Sequence, residues 1–443
     1  MHPTSLSPEQ IQTLLRPLAG LPSQAPPAPL RQPLHTVYGG AHLFSAGLPR
    51  KLGDLALRAL TRYAPQPELL AQALGLPGDA ALWAVVHERV RAKLQREPIE
   101  DLRIDFEDGY GYRPDEEEDR HAVAAAQALA EGLRAGGLPW MLGLRIKALT
   151  PEQAPRAVRT LDLFLTTLAQ AHGAPPPRFV VTLPKVQAPA QVAALAVLCG
   201  ALESRLGWPP GALGIELMIE APQAVLSAEG VVAPALVTAA GGRCVALHLG
   251  AYDYTAALDI TAEAQSLEHP ACAFARQALQ VALCGRGVCL VDGATTELPV
   301  GPHRAEALSA AQEEENQRVV WAAWRRHAAS VRRALHEGYY QGWDLHPAQL
   351  VARYGAVYSF FLSGQREAAA RLARFIDQAA QATRAGAVFD DAATGQGLLN
   401  FFLRGLACGA LCEEEALAAG LSLTELRQRS FARILAGRRS PAG

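Results

Sequence analysis

The sequence predicts a (β/α)8 TIM barrel with an N-terminal arm and a C-terminal helical segment. Three observations carry that expectation. Eight short β-rich runs recur along the chain, alanine-rich amphipathic stretches separate them, and 443 residues, half of them apolar, suffice for a large barrel with additions. Strands alternating with helices form parallel βα units, and eight such units close on themselves.

Residues 1–34 read as the arm. They open "MHPTSLSPEQIQTLLRPLAG", without the basic start and apolar core of a signal peptide, and continue through the proline-rich "LPSQAPPAPLRQPL" at 21–34, an extended segment. The barrel is expected over 35–350. Its strand candidates are "HTVYGG" (35–40), "LRIDFED" (102–108), "MLGLRIK" (141–147) and "FVVTLPK" (179–185). They continue with "GIELMIE" (214–220), "CVALHLG" (244–250), "GVCLVDG" (287–293) and "GWDLHP" (342–347). Helices such as "HAVAAAQALAEGLRAGG" lie between them. Two connections, 41–101 and 294–341, are long, and the second includes "RAEALSAAQEEENQRVVWAAWRRHAASVRRALHEG", one long charged helix. Residues 351–443 read as helical, broken at "TRAGAVFDDAATGQG".

Charge and cysteine usage exclude several classes. With 41 basic and 43 acidic residues the net charge is −2, which gives no general attraction to nucleic acid or membrane phosphates. No apolar run reaches the length of a membrane span, so the expected location is cytoplasmic. The seven cysteines lack histidines at zinc-finger spacing and read as buried free thiols.

In a barrel of this kind the C-terminal ends of the strands face the active site. Here strand two ends in Glu107 and Asp108, strand three in Arg145, strand five in Glu220, and the turn after strand six presents Asp253. Carboxylates from several strands plus one arginine suit a Mg²⁺ site with an anion clamp. Magnesium takes one or two carboxylates and leaves its other positions to water and substrate oxygens. Arginine offers a planar fork for a carboxylate or oxyanion. Glu216 lies on the same strand face as Glu220 but deeper, where an ion-pair partner is expected, and Lys185 ends strand four.

The ordered set "DFEDGY", "LRIK", "TLPKVQ", "LMIEAPQ", "LGAYDY", "GYYQGWDLHPAQL" resembles the citrate lyase beta-subunit-like and malyl-coenzyme A lyase family, relatives of malate synthase, over residues 35 to about 410. The resemblance implies that Glu220 and Asp253 bind Mg²⁺ (or Mn²⁺) and that Arg145 contacts the substrate's oxo group. It makes Glu107 and Asp108 supports of the metal waters, and the turn amides of Gly250, Ala251 and Tyr252 holders of a 2-oxo acid carboxylate. "FDDAATGQGLLNFFLRG" is similar to the catalytic stretch of malate synthases, which makes Asp391 the general base; the bland alternative is a helix N-cap. The expected assembly is a homo-oligomer.

The chain departs from the family at several positions. The first strand ends "VYGGAHLF", without the usual arginine, Lys147 stands for an asparagine, and Ala221 for a threonine. Asp292 in a second "DGAT" reads as structural, and His346 as either site-lining or core. The implied function is Mg²⁺-dependent carbon–carbon bond formation or cleavage between a short 2-oxo acid and an acyl-coenzyme A. Malate synthase-like condensation of glyoxylate with acetyl-coenzyme A leads. Alternatives are a malyl- or citramalyl-coenzyme A lyase, an aldolase that works without coenzyme A, and, from another class, a non-catalytic metabolite-binding protein.

Overall fold

Eight parallel strands form one sheet: β1 (His35–Gly40), β2 (Asp101–Asp105), β3 (Met141–Arg145), β4 (Phe179–Leu183), β5 (Leu213–Ile219), β6 (Cys244–Leu249), β7 (Cys289–Val291) and β8 (Gly342–Asp344). The computed structural model describes residues 5, 7–16, 31–305, 307–377, 383–385, 388–390, 392–417 and 420–439. The strands pair in the order β8-β1-β2-β3-β4-β5-β6-β7. A parallel bridge between Val291 and Gln341 joins the two ends, and the Asp292 amide donates to the Gln341 carbonyl at 2.9 Å across that seam. The expected barrel is present, and every strand candidate forms a strand.

The alternation along β2 explains the barrel's interior. Leu102 and Ile104 face the surrounding helices, while Asp101, Arg103 and Asp105 alternate with them on the other face. Arg103 pairs with Asp101 and, at 2.8 Å, with Glu216. Glu216 also accepts from the Thr182 hydroxyl at 2.6 Å and contacts His248 Nε2 at 2.5 Å. Burial opposes its charge, but Arg103 and His248 outweigh burial and hold the carboxyl below the ordinary range. Glu216 is therefore the ion-pair partner expected of it. A Cβ on Gly143 would come within 2.8 Å of Arg103 Cδ, so glycine there makes room for the guanidinium.

The helices pack by ordinary amphipathic logic. In Ala154–His172 the residues Ala157, Leu161, Phe164, Leu165 and Leu168 recur at three- and four-residue spacing and are fully buried. Each of the larger ones contributes about 1.5–3 kcal/mol. The first long connection holds helices Leu48–Tyr63, Pro67–Leu74 and Ala80–Arg96. The second holds the expected long helix, Ala310–His336, started by a reciprocal Ser309–Gln312 capping box. The thiols differ from expectation: Cys199, Cys272 and Cys408 are buried, but Cys284 and Cys412, at helix ends, are exposed. Among the described residues no helix is long and apolar enough to cross a membrane.

The C-terminal segment crosses the barrel from one face to the other. Helix Gln349–Asp377 starts at the C-terminal face, where Gln349 Nε2 donates to the Thr295 carbonyl at 3.1 Å. Tyr354 already bonds Pro98, just ahead of β2, and Phe361 stacks on Tyr340, just ahead of β8. The remaining turns, 361–377, carry the helix roughly 24 Å further from that level. Thr383–Ala385 then pairs antiparallel with Val388–Asp390, a short two-stranded feature in a stretch expected to be a helix break, and helix Ala392–Ala407 follows.

Candidate active site

The strand ends bring the predicted acids to one cation. Lys185 follows β4 by two residues, with Pro184 between, and adopts the left-handed region at φ 50°. That conformation is uncommon for a side chain other than glycine, asparagine or aspartate and recurs at functional sites. The Lys185 amide donates to Glu220 Oε1 at 2.5 Å. Its ammonium lies 2.9 Å from Glu107, 3.4 Å from Asp108 and 3.5 Å from Asp253. Glu107, Asp108, Glu220 and Asp253 therefore surround one lysine.

Burial sets the electrostatics of this cluster. Glu220 is only 4% exposed, and desolvation raises its carboxyl to about 8, against the pull of Lys185 and with the push of Asp253. Burial also raises Glu107, against Arg145 and Lys185. Lys185 responds in the opposite sense: burial disfavours its charge, but Glu220, Glu107 and Asp108 hold it well above the usual lysine range. Gly250 keeps the space: a Cβ there would come within 2.7 Å of Glu220 Oε2.

Arg145 sits differently from a simple anion clamp. Its side chain is 2% exposed and forms a two-pronged ion pair with Asp105, which also accepts the amides of Glu107 at 2.9 Å and Gly109 at 2.8 Å. A Cβ on Gly109 would lie 2.5 Å from Asp105 Oδ2. Arg145 Nη1 reaches Glu107 at 3.2 Å. The rings of Tyr38 and Trp343 lie 4.8 and 5.7 Å from the guanidinium carbon. One edge of Arg145 is thus occupied by Asp105, and its Nη1 points toward the acids around Lys185.

Gly250, Ala251 and Tyr252 start the short helix Ala251–Ala256, as the turn after β6. The Gly250 amide is occupied, donating to the Ile219 carbonyl at 2.9 Å, so a carboxylate would find the amides of Ala251 and Tyr252. Asp391 lies outside the described residues. The helix after it starts far from the acids: a Cβ on Gly395 would touch Phe375 and Phe431, near the distal end of Gln349–Asp377 and beyond the opposite face of the barrel. Asp292 pairs with Arg333 at 2.8 Å and Arg276 at 3.6 Å, as a structural residue does, and His346 Nδ1 accepts the Ala348 amide at 3.2 Å.

Among the described residues no group of three or more His, Cys, Asp and Glu side chains is arranged to hold a metal ion. The chemistry of the Glu220–Asp253 pair nevertheless fits magnesium, which asks for one or two carboxylates. A family model described as a domain of unknown function, DUF6986, matches residues 22–434. The chain belongs to the DUF6986 family. No curated protein sequence matches it. A solved citrate lyase from Burkholderia xenovorans LB400 superposes on this DUF6986 chain at TM-score 0.53 and 19% identity, over 90% of this chain and 98% of that one, which shows the shared fold. A malate synthase from Haloferax volcanii matches at TM-score 0.46 and 13% identity, over 80% and 86% of the two chains. A citrate lyase beta subunit from M. tuberculosis, complexed with oxaloacetate and magnesium, matches at TM-score 0.37 and 17% identity, over 73% and 96%.

Sequence reasoning missed Asp105. The two-residue period of "DLRID" carries the signal: three charged residues alternate on one strand face, and the last lies level with Arg145 in the β2–β3 register.

Proposed function

We propose that this protein is a Mg²⁺-dependent enzyme that makes or breaks a carbon–carbon bond between a short 2-oxo acid and an acyl-coenzyme A. Malate synthase-like condensation of glyoxylate with acetyl-coenzyme A is the leading reaction. The observation that carries this reading is the convergence of Glu107, Asp108, Glu220 and Asp253 around a single cation at the C-terminal mouth. Glu220 and Asp253 would hold the metal once Lys185 swings aside, with Glu107 and Asp108 accepting from its waters. The ion would polarise the oxo oxygen and offset the negative charge that develops there. The amides of Ala251 and Tyr252 would bind the acid's carboxylate. Arg145 would present Nη1 to the oxo oxygen, oriented by Asp105. Asp391 would take a proton from the acyl α-carbon.

Asp391 would come from a neighbouring copy. The helix that follows it begins beside Phe375, on the far side of the barrel from its own Glu220. A homo-oligomer with shared sites therefore accompanies the reading. For the acyl carrier, a crevice at the same mouth is lined by Arg304, whose guanidinium suits phosphate, beside Arg62 and His303, which pair with Glu313 and Glu315, and His346, whose charge burial disfavours.

Incubation with Mg²⁺, glyoxylate and acetyl-coenzyme A tests the proposal, following free thiol and C4-acid products together. Thiol release with malate supports a synthase, and a C4 thioester without thiol release supports a lyase. Neither product from any acyl-coenzyme A, with turnover of free 2-oxo acids instead, would favour the aldolase. The tight β1 end, where a Cβ on Gly40 would meet the Gly109 carbonyl at 2.3 Å in place of the family's arginine turn, favours that second reading.

A further inference from the structure

The N-terminal end of the barrel, opposite the carboxylate cluster, is open among the described residues. β5 and β6 change register there: Ile215 pairs with Cys244 but Glu216 with Ala246, so Val245 is the extra residue of a bulge. Bulges favour barrel rims and re-aim the side chains around them. Gly214 and Ala246 stand where branched aliphatic side chains ordinarily fill a barrel. What remains is a cavity of about 650 Å³, reaching inward to Glu216 and Gln341. That size lies within the usual range for small-molecule sites.

The lining specifies a ligand. Trp140, Pro176, Phe179 and Pro210 supply flat apolar walls. The guanidinium carbons of Arg31 and Arg178 lie 4.9 and 4.6 Å from the Trp140 ring centroid. Arg31 is occupied by Glu97 at 2.6 Å. Arg178 is not: its Nε donates to the Trp140 carbonyl at 2.8 Å, and among the described residues no carboxylate pairs with it. It also holds a left-handed backbone, φ 55°, immediately before β4, a conformation that costs an arginine free energy. At the inner end, Glu216 is turned inward and engaged by Arg103, Thr182 and His248, with the Arg103 guanidinium as its counter-charge.

We propose that this mouth is a second binding site, for a small carboxylate with a flat apolar body. The carboxylate pairs with the fork of Arg178, and the body lies against Trp140 and the proline walls. The site is separate from the proposed catalytic mouth and does not depend on the reaction catalysed there.

Calorimetric titration of the full chain with 2-naphthoate, and with neutral 2-naphthamide, tests this. One site for naphthoate is expected, with the amide at least ten-fold weaker. Arg178→Gln, at an exposed position, should cost a similar factor while leaving the circular dichroism spectrum unchanged. Ala246→Leu, which fills the inner end, should abolish binding, and Glu220→Gln should leave it intact. Absence of heat with the wild-type protein at millimolar naphthoate would overturn the proposal. So would an affinity indifferent to Arg178→Gln, or one lost with Glu220→Gln.

Discussion

Replacing Glu220 by glutamine separates the electrostatics of the cluster from its shape. The Glu220 carboxyl is raised by burial from 4.5 to about 8. Between those values the folded protein keeps a proton that the unfolded chain has lost. The native state binds more protons, so stability falls as pH rises through that window. The difference of about 3.5 units corresponds to roughly 4–5 kcal/mol at full ionisation, of which about 3–4 kcal/mol accrues between pH 5 and pH 8. Glutamine fills the same volume and cannot ionise. In EDTA, urea denaturation should show wild type losing stability from pH 5 to pH 8 relative to Glu220→Gln, the variant being the more stable at the upper end. Millimolar Mg²⁺ should flatten the wild-type slope, because an added cation favours the ionised carboxylate, and should do little for the variant. A stability difference between the two proteins that stays constant from pH 5 to pH 8 would refute the reasoning: Glu220 would then be ionised throughout, with Lys185 as a sufficient counter-ion.

Further outcomes follow from the same site. Glu220→Gln and Asp253→Asn should each abolish Mg²⁺-dependent turnover with the fold intact, and near-normal activity in either would remove that residue from the metal site. Asp391→Asn should lower the rate by about 10²–10⁴-fold and stop exchange of acetyl methyl protons with solvent deuterium, whereas Asp390→Asn should be much milder; the reverse result would shift the base by one residue. Asp105→Asn leaves the Arg145 guanidinium buried without its main counter-charge and should cost about 3–5 kcal/mol in urea denaturation; a loss below about 1 kcal/mol would mean that Glu107 suffices as partner. Light scattering should give a homo-oligomer, and a monomer active at nanomolar dilution would contradict shared sites.

The barrel was legible because strand and helix periods differ and the chain alternates between them cleanly. "HTVYGG" is β1 residue for residue, and "CVALHLG" overruns β6 by one. The acids were legible because strand ends in a barrel share one mouth. What remained hidden depends on long-range geometry. That Asp105, not a substrate, takes one edge of Arg145 follows from the β2–β3 register and from the room that Gly109 leaves. That Lys185 stands among four carboxylates follows from a backbone turn after Pro184 that no residue type announces. The open mouth at the other end follows from a bulge at Val245, invisible in a run that reads as regular strand.

Strand β4 begins directly after Arg178 and ends two residues before Lys185, and both cations sit in left-handed backbone. Each conformation costs roughly 1–2 kcal/mol that glycine or asparagine would not incur. Directed evolution for heat resistance, selected on melting temperature alone, would therefore tend to erase Arg178 first, whereas Lys185 would be kept by the larger cost of leaving Glu107 and the buried Glu220 without a counter-charge. The survivors would unfold later and lose the guanidinium at the N-terminal end of the barrel. A thermostable descendant that kept Arg178 would have to find its stability elsewhere, and the cost of retaining it would measure how strongly selection holds that end of the strand.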